Sequence, residues 1–210
     1  MRKTDRMALA SIIISTSALL FTTTSFWWLQ ARRGHLTCYP VQNFSGYLYR
    51  NKAALRIPLS IFNSGAVPLV VTDLRLRLAS EVGDEALMHF RTLRRSLRTD
   101  ADDVEDFAHA YSVTGRSVDT RMVEFAMNTS PIPLLHGHPV TATVEAQVDH
   151  RQTWVKLGSF PMNVQTMASP SNYITYSNQE HVWPEGIVAD AAVEHRKLRQ
   201  QLGLPAPTTD

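Results

Sequence analysis

The chain has 210 residues, 44% hydrophobic and 19% charged, with a formal net charge of +2. That composition suits one globular domain with accessory segments and excludes wholesale disorder. The charge is uneven: residues 1–33 hold five bases and one acid, the rest sixteen bases against eighteen acids, so a slightly acidic body excludes a nucleic-acid footprint.

Residues 1–6 form a basic tail, with Arg2, Lys3 and Arg6 against Asp5. Met7–Ala31 follow as 25 residues without a charge. As a helix they reach about 37 Å, more than the roughly 30 Å of a bilayer's hydrocarbon core. Leu9, Ile12, Ile13, Ile14, Leu19, Leu20, Phe21, Phe26 and Leu29 favour insertion, and eight Ser and Thr residues work against it. Trp27 and Trp28 fall where an aromatic belt meets the headgroups, with Arg32 and Arg33 just beyond.

The segment 7–31 is therefore expected to be an uncleaved transmembrane anchor embedded in the lipid bilayer. A signal peptide fits less well, because the run is long and Leu29-Gln30-Ala31 offers no small-x-small cleavage site. A buried core helix is disfavoured by the double Trp and the flanking charges. The more basic amino end places the N-terminus in the cytoplasm and the domain outside. Ala8, Ser11, Ser15, Ala18, Thr22 and Ser25 recur at spacings of three and four, on one helical stripe. Such a stripe predicts a helix–helix partner or a homo-oligomer. Hydroxyls bonding their own preceding turn account for it equally simply.

Cys38 excludes an internal disulfide and reads as a small apolar residue or an acylation site beside the membrane. Beyond it the dominant period is two. Leu55, Ile57, Leu59 and Ile61 alternate with Arg56, Pro58 and Ser60; Leu74, Leu76 and Leu78 alternate with Asp73, Arg75 and Arg77. Residues 139–148 alternate likewise, and further strands are expected at 45–50, 67–72, 107–114, 119–127 and 153–165. One face of each strand meets a core and the other meets water, as in antiparallel sheets, which excludes a parallel α/β fold. Asn63-Ser64-Gly65 and Asp149-His150-Arg151-Gln152 supply turns. Pro58 and Pro161 predict edge positions or bulges. Residues 86–98 fit a short helix as well as a bent strand.

The acidic run 100–106 (Asp100, Asp102, Asp103, Glu105, Asp106) suggests hard-cation ligands but lacks the glycine of a calcium loop, and four arginines precede it. His136 and His138 would make an incomplete zinc site, needing His109, His150 or an acid as a third ligand. No nucleophile elbow, Walker loop, dinucleotide fingerprint or zinc-protease helix motif occurs. No residue is assigned a catalytic, cofactor-binding or metal-binding role, and no cofactor is implied. After Asn178 the period changes: residues 185–202 predict an amphipathic helix within a tail spanning 179–210, stopped by Gly203 and Pro205. Its largely alanine face predicts a helix that docks loosely or stands free.

The run IPLSIFNSGAVPLVVTDLRLRL (57–78) and the later YITYSN (173–178) resemble a group of uncharacterised bacterial proteins. In these a short membrane anchor precedes a single immunoglobulin-like domain; the strand–Asn-x-Gly–strand arrangement also resembles sandwich domains of the late-embryogenesis-abundant type. The resemblance covers roughly residues 30 to 178 and implies a fold and an anchor, with no reaction. The expectation is a mainly β protein: an antiparallel two-layer β-sandwich at 32–178, between an N-terminal transmembrane helix and a short C-terminal helix. The expected function is that of a non-enzymatic membrane-anchored interaction or scaffolding module with a protein partner. The alternatives are a metal-dependent hydrolytic domain using His136, His138 and the run 100–106, or an accessory subunit of a membrane complex.

Overall fold

The structure, a computed structural model, describes residues 3–49, 52–81, 83–98, 103–128, 132–135, 138–167 and 174–205. A long helix α1 (Lys3–Phe26) runs into a π-helical turn at Trp27–Ala31. Eleven strands follow among the described residues: β1 (Leu36–Cys38), β2 (Asn43–Tyr49), β3 (Lys52–Asn63), β4 (Leu69–Ala79), β5 (Glu85–Arg94), β6 (Val104–Phe107), β7 (Tyr111–Val113), β8 (Val118–Met127), β9 (Val140–Val148), β10 (Trp154–Met162) and β11 (Ile174–Ser177). A second helix, α2 (Ile187–Gln201), closes the described chain. The mainly β, antiparallel class and both flanking helices agree with the sequence pattern.

The strands form one continuous hydrogen-bonded sheet in the order β10-β9-β4-β5-β8-β3-β2-β11, with β1, β6 and β7 added on β3, β5 and β4. It curls into a half-barrel rather than parting into two clear layers. The reason lies in β5. Its first half pairs with β4, up to His89 against Arg75, and its second half pairs with β8, from His89 against Ala126 onward. One strand thus stitches together what alternation alone reads as separate layers. The sheet also curls back at its far edge, where a Cβ on Gly158 of β10 would lie 2.7 Å from the Cys38 carbonyl of β1.

The core fills the hollow of this curl. Leu55, Ile57, Leu59 and Ile61 of β3, Leu74, Leu76 and Leu78 of β4, Val123 and Phe125 of β8, and Val144 and Ala146 of β9 are all buried. On the outer face Arg75 of β4 stands opposite Glu145 of β9, a cross-strand pair of opposite charge.

Residues 85–94 are strand and not helix. A register shift between Phe90 and Thr92 breaks the period of two, burying Ala86 and Met88 before it and Thr92 and Leu93 after it. That bulge generates the helix-like spacing of the apolar residues. The expected strand at 107–114 is divided between β6 and β7. Pro58 occupies a gap on one side of β3, past the end of its pairing with β2 at Arg56 and before β1 begins opposite Ile61. Pro161 lies in β10, at one end of the strand order.

Helix α2 docks more firmly than its alanine face suggests. Ala191, His195, Leu198 and Arg199 are buried. Its end is capped by Gly203, at φ 69°, with Leu204 N–H donating to Arg199 O at 3.0 Å and Gly203 N–H to Gln200 O at 3.1 Å. His195 Nε2 donates to the Met167 carbonyl at 2.6 Å, so the neutral ring fastens the helix to the body.

Burial lowers the His195 pKa below its ordinary 6.5, helped by Arg199 and opposed by the Met167 carbonyl and Glu194. Above pH 6.5 folded and unfolded chains are both neutral at this ring; below it the unfolded chain takes up a proton that the folded chain resists. The stability from this contact is therefore present above 6.5 and lost as pH falls through the folded value. Thermal unfolding of the full chain in detergent should show a lower Tm at about pH 5.5 than at about pH 7.5. His195→Gln should shrink that difference; an equal drop in both proteins would assign it to other groups.

Candidate functional site

Two places depart from a plain sheet, and the first lies on its outer face. Arg56 occupies a solvent-facing phase of β3, yet its exposure is 1%. It is covered by residues 95–98 and by Asp103; the Ser96 and Arg98 carbonyls accept its Nη1 at 2.8 and 2.7 Å. The Ser45 hydroxyl donates to the Leu97 carbonyl at 2.6 Å, and Arg95 N–H to Asp103 O at 2.9 Å.

Asp103 and Glu124 close the charge balance beneath this cover. Arg56 pairs with Asp103, and its Nη2 lies 3.4 Å from Glu124 of β8. Arg94 of β5 reaches both carboxylates at 2.9 Å. The Thr92 hydroxyl adds a bond to Glu124 at 3.4 Å. Burial pulls the Arg94 pKa down, but hydrogen bonds and charge from Glu124 and then Asp103 outweigh it and hold the guanidinium above its ordinary value. Among the described residues two cations face two anions, the balance under which such a cluster is tolerated. The arrangement clamps a crossover segment to the sheet.

Those of the sequence-predicted ligands that are described are not brought together. Asp100, Asp102 and His136 lie outside the described residues. Asp103 is held by two arginines, whereas Glu105 and Asp106 are exposed on β6, with Asp106 3.4 Å from His109. His138 precedes β9 and His150 follows it, so the strand's nine residues hold them roughly 30 Å apart. Among the described residues no three His, Cys, Asp or Glu form a group suited to a metal. Burial pushes the Cys38 thiol up to about 11, which keeps it protonated and a poor nucleophile. On α1, the Ser15 hydroxyl donates to Ser11 O at 2.9 Å and that of Thr22 to Ala18 O at 2.8 Å, so both satisfy their own helix.

The second place is the junction of α1 with the sheet, which sequence reasoning did not single out. None of the span Met7–Ala31 is buried in the protein, so it is no core helix, and it is long and apolar enough to cross a membrane. Its end is welded to the β3–β4 turn. The Arg32 carbonyl accepts Ala66 N–H at 2.7 Å and Val67 N–H at 3.3 Å, while His35 N–H donates to the Ser64 hydroxyl at 3.0 Å. The backbones touch at Gly34 and Gly65: a Cβ on Gly34 would lie 1.9 Å from Gly65 N. Arg32 stacks over the Trp28 ring at 4.3 Å, and the Arg116 guanidinium, from the β7–β8 turn, donates to the Trp28 carbonyl. Arg33 and Arg151 project beside this weld.

No family model matches the chain, and no curated protein does. Among solved structures, a protein from Archaeoglobus fulgidus is similar over 68% of this chain and 98% of its own, at 12% identity and a TM-score of 0.35. A likeness that distant carries no argument about either chain.

Removing one carboxylate from the clamp should leave one buried positive charge with its partner lost, since among the described residues Glu124 alone then faces Arg56 and Arg94. Asp103→Ala is expected to cost about 3–5 kcal/mol in urea unfolding of the full chain. Asp106→Ala, three residues along and exposed, should change stability by no more than about 0.5 kcal/mol. Equal effects at the two positions would remove the clamp from the account of stability.

Proposed function

We propose that this chain is a single-pass membrane protein whose β-domain, outside the cytoplasm, presents a binding surface at a fixed attitude to the bilayer and performs no catalysis. The observation that carries the reading is the weld at Arg32, Gly34, Gly65 and Ala66. A flexible linker would let a domain swivel, whereas paired backbone bonds between helix end and sheet turn fix the two together. The apolar span before the weld and the tryptophans at its end support an anchor, and the basic residues at the amino end support the orientation. The end of the strand order at β11, whose only ladder among the described residues is with β2, offers a backbone edge to an extended partner segment.

A second reading, association of α1 with another helix, is favoured by the exposure of Ser11, Ser15, Ala18 and Thr22. Since the Ser15 and Thr22 hydroxyls are engaged internally, the contact would be one of close packing.

The anchor is tested by expressing the full chain in a bacterial host with a carboxy-terminal tag. The membrane fraction should keep the chain at its full mass through alkaline carbonate extraction, and protease added to spheroplasts should digest the domain. A soluble product shortened by about thirty residues would identify a signal peptide instead. In a membrane two-hybrid assay, Ser15→Leu with Ala18→Leu should abolish any self-association signal; an unchanged signal would remove the stripe from the interface.

A further inference from the structure

Beside the weld, two adjoining hollows of about 200 and about 340 Å³ share Arg33, Leu69, Asp149 and Arg151. Their composition is divided. Leu36, Leu69, Val155 and Leu157 supply an apolar floor, on which Val155 remains 42% exposed. Arg33 and Arg151 supply the rim; both are exposed, and neither side chain has a hydrogen-bond or ionic partner among the described residues. Asp149 is the single acid there, and its Oδ1 already accepts Val70 N–H at 3.1 Å. Arg32 and Arg116, held on Trp28, add positive charge on the helix side.

We infer that this cleft is a binding site for an anionic phospholipid, its phosphate held by Arg33 and Arg151 and its glycerol and first acyl carbons on Leu36, Leu69, Val155 and Leu157. The inference rests on the anchor reading, since the cleft opens beside the end of α1, where the headgroup layer would lie. Guanidinium groups match phosphate oxygens with paired N–H donors. Four arginines against one carboxylate favour an acidic headgroup over a zwitterionic one, whose ammonium they would repel. Inorganic phosphate would satisfy the rim and leave the apolar floor uncovered, so the amphiphile fits the site better than the free anion.

The test uses the full chain in detergent, titrated with phosphatidylglycerol or phosphatidylcholine and read by native mass spectrometry. Phosphatidylglycerol should bind in preference. Arg33→Gln with Arg151→Gln should weaken it roughly thirtyfold, the effect of two cations at a membrane surface. Val155→Asp should weaken it as well, while Arg196→Gln, on the exposed side of α2, should leave it unchanged. Wild-type affinity in the double variant would overturn the site. Full displacement by millimolar inorganic phosphate would overturn the lipid and leave only an anion site. Carbonate extraction of the same variants separates the two levels: a chain lost from the membrane fraction refutes the anchor, whereas an anchored double variant with wild-type lipid affinity refutes the cleft alone.

Discussion

The structure depends on an ionic square set into the outer face of the sheet: Arg56 and Arg94 against Asp103 and Glu124. Three neighbouring strands and Asp103 each contribute to it, so the square fixes how β3, β8 and β5 stand and, with the Arg56 bonds to the Ser96 and Arg98 carbonyls, where residues 95–98 lie over them. Its members are expensive to remove singly because each leaves a charge in a dry place, although an apolar replacement of the whole square could be as stable. Its value here is therefore geometric. It holds residues 95–98 and Asp103 against the sheet, and Arg56, Thr92 and Glu124 are buried on a face of strands whose other face meets the core.

Much of the fold is legible in the residue pattern, and the exceptions have physical causes. The alternation in 55–61, 73–78 and 140–148 reflects one-sided burial, and the strands lie where it predicts. The pattern misleads at β5, because a bulge resets the phase and so imitates a helical period. It also cannot tell a sandwich from one curled sheet, since both bury alternate residues; the difference is made by β5 changing partner midway. Arg56 illustrates the limit for the site. Its polar phase suggests water, yet Ala53, Ala54, Leu55 and Ile57 around it form an apolar block, and that interruption of the alternation was the available signal for burial on both sides.

The candidate chemistry was less legible. The acidic run contains one residue that matters structurally, Asp103, but its partners come from Arg56 and Arg94, far apart in sequence and neutral to any spacing rule. The weld at the helix end is written in Gly34, Gly65 and Gly115, which look like ordinary turn glycines. Only the fold shows that two of them meet backbone to backbone and that the third lies against Ala66, leaving no room for a side chain.

That weld converts the helix and the sheet into a single lever. In a bilayer an apolar helix longer than the local thickness leans over, by about 20° on average for spanning helices. With the helix anchored as proposed, a swivelling domain would absorb the lean, whereas this one would follow it. The twelve residues of β3 span about 40 Å, and a point that far from the weld would be displaced by roughly 14 Å under such an inclination. On the anchor reading, lipid thickness, a property of the surroundings, would thereby be translated into the attitude of the domain's outermost loops.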